Sequence, residues 1–341
     1  MKVKIWLPII KGSSGIDIFT RRLADALQRH GIEAEVTWYP ITFQFAPFLL
    51  KSVPPPPRTD LIHALSWNGF AFKRRGIPLV VTEQLGVSDP IDRSYKSLAQ
   101  HLYHETLIRR FARASFFAAS AITAVSHFTA AGLARAFGIH SALVIYNWVN
   151  TRVFSPTKQI PLSTQPPFRL LFMGNPSRRK GADLLIPIMR ELGNAFELRF
   201  TSGLRNLRMR GVQQNMVPLG RLTGESQLIK AYHQCDALLF PSRFEGLPQA
   251  PLEAMACSKP VIAARSSSLP EVVEDGATGA LCPKDDLGAF VTACRKLADH
   301  PEILYAYGQA ARRRAEQLFS EEIVIPQYIA LYEKLVKETG F

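Results

Sequence analysis

Short apolar runs alternate with helix-period segments along most of the chain, and this alternation limits the fold more than any other feature. Lys2–Trp6, Glu33–Tyr39, Asp60–Ala64, Ile77–Thr82 and Ala121–Ser126 read as strands in the first half. After the first of them, Ile18, Phe19, Leu23, Ala26 and Leu27 fall at helical spacing. The second half repeats the scheme with strands at Arg169–Met173, Phe196–Thr201, Leu238–Phe240 and Pro260–Ala264 and an apolar helix over Asp183–Leu192. Strands separated by helices pair in parallel through crossovers, which predicts an α/β architecture of doubly wound sheets with ligands at the C-terminal strand ends. At 341 residues the chain is long enough for two such domains. Thr151–Phe168 is polar and carries Pro156, Pro161, Pro166 and Pro167, so it reads as the linker between them.

The richest stretch runs from Phe240 to Pro283. It reads as strand end, tight turn, helix and strand, with Glu245-Gly246-Leu247-Pro248 leading into a helix that holds Leu252, Ala254, Met255 and Ala256. A helix start offers backbone N–H groups and the positive end of the dipole, which suit a phosphate, and Gly246 permits close backbone approach. Glu245 and Glu253 flank that place. An ionised carboxylate only accepts hydrogen bonds, so a ligand recognised by both acids must bring hydroxyl donors. A diphosphate between two polyols, a nucleotide sugar, meets both demands. Solvated helix-start charges are the competing reading.

A second anion site is suggested by Gly174-Asn175-Pro176-Ser177-Arg178-Arg179-Lys180-Gly181, where three cations occupy a glycine-bounded strand-to-helix loop. Lys11-Gly12-Ser13-Ser14-Gly15 has the outline of a phosphate loop but does not match the dinucleotide fingerprint.

The pattern P-S-x-x-E-G-x-x-x-x-x-x-E-A-M-A-x-x-x-P-V-I, continued by L-P-E-V-V-x-D-G-x-T-G, resembles the donor-binding signature of the retaining GT4-type glycosyltransferases, which have the GT-B fold. The resemblance covers nearly the whole chain and is densest in the second half. It implies two Rossmann-like doubly wound domains facing a central cleft: an acceptor-side domain over 1–155, a nucleotide-sugar domain over 156–318, and a terminal helix over 319–341 returning to the first. It also implies roles. Glu253 would hold the ribose hydroxyls, Glu245 the transferred sugar, and the amides of Gly246, Leu247, Pro248 and Gln249 the phosphates. Arg179 and Lys180 would clamp the diphosphate, and Gly15 would reach the donor from the first domain. Val217–Leu222 would meet the base. No cofactor or metal is expected beyond the nucleotide-sugar co-substrate, and there is no D-x-D element placed as a cation clamp.

Several positions depart from the family pattern. Gln84 stands where relatives carry a histidine close to the sugar, and its amide both donates to and accepts from hydroxyls. Neighbouring Glu83 is the alternative base. Asn175 replaces an arginine, Ser258 and Trp148 replace glycines, and Asn150 replaces an aspartate. His63 completes a D-x-x-H element and reads either as a substrate contact or as a packed, hydrogen-bonded residue.

Composition settles the remaining classes. Residues 1–155 hold 18 Lys+Arg against 9 Asp+Glu, so +9 of the net +13 lies in the first half. No nucleic-acid-binding motif accompanies it, which leaves an anionic membrane or a phosphorylated acceptor. Residues 93–119 concentrate cations and aromatics in one helical region, either an interfacial helix or a surface helix packed on its own domain. No apolar run reaches the roughly 18 residues of a spanning helix, and the start is too short for a secretory signal. Four cysteines without a C-x-x-C pair point to reduced, structural thiols. The expected chain is therefore a cytoplasmic enzyme, peripheral at the inner face of the membrane, using a glycan or lipid-linked acceptor. A nucleotide-sugar epimerase and a non-catalytic nucleotide-sugar-binding subunit are the alternatives.

Overall fold

A computed structural model of the chain describes residues 3–12, 15–86, 94–95, 97–157, 167–203 and 211–339. Ser14, Arg93, Lys96, Arg205, Arg208, Arg210 and most of the proline-bearing linker lie outside them. The contacts divide the chain into two compact units, Met1–Asn147 with Val324–Phe341, and Trp148–Ile323.

In the first unit, strands β1 (Lys4–Ile10), β2 (Glu33–Tyr39), β3 (Leu61–Leu65), β4 (Leu79–Glu83), β5 (Ala121–Ala124) and β6 (Leu143–Val144) form a parallel sheet in the order β2-β1-β3-β4-β5-β6. All but the first residue of β1 are buried, as expected of a strand covered on both faces. Helix α1 (Gly15–Arg29) turns Phe19, Leu23, Ala26 and Leu27 inward at the spacing read from the sequence. Helices α2 (Leu98–Tyr103) and α3 (Arg109–Ala118) are joined by a π-helical stretch, His104–Ile108. Helix α4 (His127–Phe137) starts on a Ser126 cap and stops at Gly138, whose φ is +70°.

In the second unit, β7 (Phe168–Phe172), β8 (Phe196–Thr201), β9 (Met216–Gly220), β10 (Ala237–Phe240), β11 (Val261–Ala264) and β12 (Gly279–Cys282) form another parallel sheet, ordered β12-β11-β10-β7-β8-β9. Its helices are α5 (Ala182–Leu192), α6 (Glu225–His233), α7 (Gln249–Ala256), α8 (Leu269–Val272), α9 (Leu287–Asp299) and α10 (Pro301–Leu318); α11 (Glu321–Glu338) follows. The order steps outward in both directions from β7 and β10, so the loops after these two strands stand at the point where the winding reverses. Ligands bind at such a place in open α/β sheets.

After β6 the chain leaves the sheet, Val149 makes an isolated parallel bridge to Ser320, and Asn150 Oδ1 accepts the N–H groups of Arg152 (3.0 Å) and Val153 (3.1 Å) at the turn that follows. As read from the sequence, Glu245–Pro248 leads into the helix, which begins at Gln249, and these four residues form a buried loop. All four cysteines are buried and unpaired, and burial pushes the thiols of Cys235, Cys257 and Cys282 up to about 12. No helix among the described residues is long and apolar enough to cross a membrane.

Candidate donor site

The cationic turn forms as its sequence requires. Ser177 Oγ accepts the Lys180 N–H, Arg178–Lys180 makes one 3₁₀ turn, and Gly181 takes φ +69° before α5 begins. A Cβ on Gly181 would lie 2.1 Å from the carbonyl oxygen of Pro241, so both conformation and crowding demand glycine. That close approach locks the turn after β7 to the loop after β10. The Arg243 N–H donates to Arg179 O (2.8 Å), Ser242 Oγ lies 3.3 Å from the same oxygen, and the Arg179 guanidinium donates to Phe244 O.

These backbone ties bring three sequence-derived residues into one cluster. Glu245 is 5% exposed. Its Oε1 is 2.5 Å from Lys180 Nζ and accepts from Ser242 Oγ at 2.5 Å, and its Oε2 is 3.4 Å from Arg179. Burial works to raise the Glu245 pKa, but the charges of Lys180 and Arg179 outweigh it, and the carboxyl sits below the usual carboxylate range. Burial pushes the Lys180 ammonium down, with Arg179 adding to the effect and Glu245 opposing it. Lys180 also lies over the Phe240 ring, 5.2 Å from its centroid. The Glu245 N–H donates to Ser267 Oγ at 2.9 Å, which fixes the main chain beside the carboxylate.

Glu253 sits apart from this cluster, on α7 and 4% exposed, where the Tyr232 hydroxyl donates to its Oε2 at 2.8 Å. Pro248 has no N–H, so within the expected phosphate-binding run only Gly246, Leu247 and Gln249 carry amides. Asn175, in place of an arginine, is packed so closely on Gly203 that a Cβ there would lie 2.1 Å from its Oδ1. Ser258 has φ +56°, where glycine is unstrained and a serine costs on the order of 1 kcal/mol.

Gln84 and Gly15 belong to the first unit. Gln84 Oε1 accepts from Asn147 Nδ2 at 3.5 Å, and its buried Nε2 meets no partner among the described residues. Adjacent Glu83 is used by the backbone: its Oε1 accepts the N–H groups of Leu85 (3.1 Å) and Gly86 (2.9 Å). Gly15 opens α1, and a Cβ there would touch nothing within 4 Å among the described residues, leaving room for a group to come close. His63 is interior and packed: Nδ1 pairs with the Tyr332 hydroxyl (2.5 Å) and Nε2 with Thr82 Oγ1 (2.6 Å), and burial lowers its pKa to about 3.

Sequence reading missed Ser242, Ser267, Arg243 and Tyr232. Ser242 and Arg243 were inside the quoted motif, where their spacing to Glu245 was the available signal. Ser267 and Tyr232 gave none, because their partners are distant in the chain.

The profile described as "Glycosyl transferases group 1" matches residues 167–300, and that described as "Glycosyltransferase Family 4" matches residues 37–153. An uncharacterized glycosyltransferase of Methanocaldococcus jannaschii is 29% identical over 198 residues, 57% of this chain and 54% of that protein. The chain spans about half the length, or less, of the curated relatives it matches. Sucrose-phosphate synthase of Thermosynechococcus elongatus superposes with a TM-score of 0.85 at 20% identity, over 98% of this chain and 100% of that one. Anabaena HepE in complex with UDP-glucose gives 0.72 at 19% identity, over 97% and 99%. With one profile on each unit and both parallel sheets in the fold of these structures, the chain belongs to the GT4-type (group 1) glycosyltransferases and has the GT-B fold.

Proposed function

We propose that the chain is a retaining glycosyltransferase that moves a sugar from a nucleoside-diphosphate sugar to a glycan or lipid-linked acceptor, without a metal ion, in cell-surface polysaccharide or glycolipid synthesis. The observation that carries this reading is the buried Glu245 carboxylate held by the half-buried Lys180 and Arg179 at the reversal point of the second sheet. An entering diphosphate competes for the two cations that now neutralise Glu245. Once they turn to phosphate oxygens, the carboxylate is left to accept hydrogen bonds from sugar hydroxyls, and the charge developing on the leaving diphosphate is met by groups already in place. Glu253, oriented by Tyr232, suits the ribose hydroxyls. In a retaining displacement of this kind the leaving phosphate takes the acceptor's proton, so no protein base is required. The Gln84 amide then serves to hold the sugar, and its buried Nε2, which meets no partner among the described residues, supports that role.

Calorimetry with UDP-, GDP- and ADP-sugars in the presence of a chelator tests the donor class, and UDP-glucose, the ligand of the HepE complex, is the first to try. Transfer assays with lipid-linked acceptors should then give a product of unchanged anomeric configuration. Turnover without acceptor would identify an epimerase, and binding without turnover a non-catalytic subunit.

Gln84 and Glu83 separate by two different readouts. Gln84→Ala is expected to lower transfer about tenfold, the equivalent of about 1.4 kcal/mol, with the melting temperature unchanged or raised. Glu83→Gln removes the ionised acceptor from two N–H groups and should cost about 1–2 kcal/mol in a urea titration while sparing the transfer rate of the folded fraction. Full activity in Gln84→Ala would remove that residue from the site, and loss of transfer only in Glu83→Gln would make the carboxylate the base.

A further inference from the structure

The first unit exposes large apolar side chains in two segments. Ile41, Phe45, Phe48 and Leu49 stand 48–58% exposed on the 3₁₀ turns Ile41–Gln44 and Pro47–Ser52 and the residues beside them. Leu98, Leu102 and Phe117 stand 64–89% exposed along α2 and α3. The two segments are neighbours. The Phe45 ring is 5.6 Å from Tyr103, whose hydroxyl donates to Gln44 O at 3.4 Å. Lys51 Nζ lies 5.6 Å from the centroid of Phe70, which stacks at 5.5 Å on Phe111 of α3. Leu98 and Leu102 share a helix face by their four-residue spacing, and Arg110, Arg113 and Phe117 share another, with the Arg113 guanidinium 5.6 Å over the Phe117 ring.

The charge on these segments says what covers them. Residues 41–52 and 97–118 carry Lys51, Arg109, Arg110 and Arg113 against one acid, Glu105, which is paired with Arg109 at 2.9 Å. A second copy of the chain would present the same cations and be repelled, whereas an anionic bilayer supplies both negative headgroups and an apolar layer beneath them.

We infer that this surface inserts into an anionic membrane, with Phe45, Phe48, Leu49, Leu98 and Leu102 passing below the headgroups and Lys51, Arg110 and Arg113 meeting lipid phosphates. Insertion differs from electrostatic adsorption, which the concentration of basic residues alone would give. Salt screens the cations but not the buried apolar area, so binding has a salt-sensitive and a salt-resistant part. The inference rests on the proposed transfer to a lipid-linked acceptor only for its purpose, because lipid binding is measured without donor or acceptor.

The full chain is sedimented with phosphatidylcholine vesicles and with vesicles also containing phosphatidylglycerol, at salt near 0.1 M and near 1 M, where the Debye length falls from about 10 Å to about 3 Å. The expected result is preference for the anionic vesicles at low salt and measurable binding that survives at high salt. The triple variant Phe48→Ser, Leu49→Ser, Leu98→Ser should lose the salt-resistant part and bind at least tenfold less, with its donor affinity intact. Arg110→Gln with Arg113→Gln should erase the anionic preference while leaving the residual high-salt binding. Equal binding to both vesicle types by the wild type, or an unaffected triple variant, would overturn the inference. Self-association in the analytical ultracentrifuge that the triple variant abolishes would also overturn it and make a second copy the occupant. Vesicle binding without sugar transfer would leave this inference standing and remove the proposed function instead.

Discussion

Lys180→Met is expected to abolish measurable donor binding and to destabilise the folded chain by about 3 kcal/mol, the low end for breaking a buried ion pair. The low end applies because Glu245 keeps Arg179 at 3.4 Å and the Ser242 hydroxyl after the ammonium is gone. Methionine keeps most of the apolar stem and removes the ammonium that lies over the Phe240 ring, so the loss reports the charge. The pH dependence follows from the direction of the Glu245 shift. Its folded pKa lies below the ordinary 4.5, so the pairing stabilises fully above that value and is lost as pH falls through the lower folded value. The stability gap between wild type and variant should therefore be full at pH 7 and close only on the acid side of the ordinary carboxylate range. Urea titrations at several pH values and calorimetry with a UDP-sugar measure both effects. An unchanged urea midpoint would show that the pair contributes nothing, and unchanged donor affinity would place the phosphates elsewhere.

That stability cost was not legible in the sequence. Read as a string, Arg178-Arg179-Lys180 is either an anion site or a solvated basic turn, and neither reading pairs it with Glu245 in a loop far along the chain. Local periodicity does carry the fold. Buried parallel strands are continuous apolar runs, and β2 and β8 appear with the bounds their sequences suggest, Glu33–Tyr39 and Phe196–Thr201. It fails where a side chain recruits the backbone. Glu83 is taken up by two N–H groups although its sequence position equally suits a catalytic base. His63 shows the same limit, since both of its partners, Thr82 and Tyr332, come from elsewhere in the chain. Candidate site residues were thus found by motif spacing, while the contacts that set their charge state are long-range and needed coordinates.

Arg243 is the clearest case of a residue visible in the motif yet silent about its work. It is 6% exposed, its guanidinium forms a bidentate pair with Asp183 at 2.6 and 2.9 Å, donates from Nε to Asp285 at 2.5 Å, and donates to Arg178 O. Those partners raise its pKa well above the ordinary arginine range, so it stays a cation throughout. One planar fork therefore joins the start of α5, the loop before α9 and the cationic turn, and it does so from the residue two before Glu245. Arg243→Lys offers a single ammonium in place of that fork and cannot hold both acids and the carbonyl together. The expected cost is about 2 kcal/mol for either Arg243→Met or Arg243→Lys, below the full penalty for a broken buried pair because Asp183 and Asp285 are 47% exposed and regain water. The functional effect should be larger than the stability effect. Lys180 and Arg179 would lose the carbonyl anchor of their turn, and a displacement of about 1 Å in a charge-stabilising group costs about a hundredfold. In transfer kinetics the loss should appear chiefly in kcat with a smaller rise in KM, since free nucleotide still finds the cations but the leaving diphosphate is no longer met in place. A residue that only holds the fold together would lower the active fraction and leave both constants of the folded enzyme unchanged, and that outcome would end the positioning role assigned to Arg243.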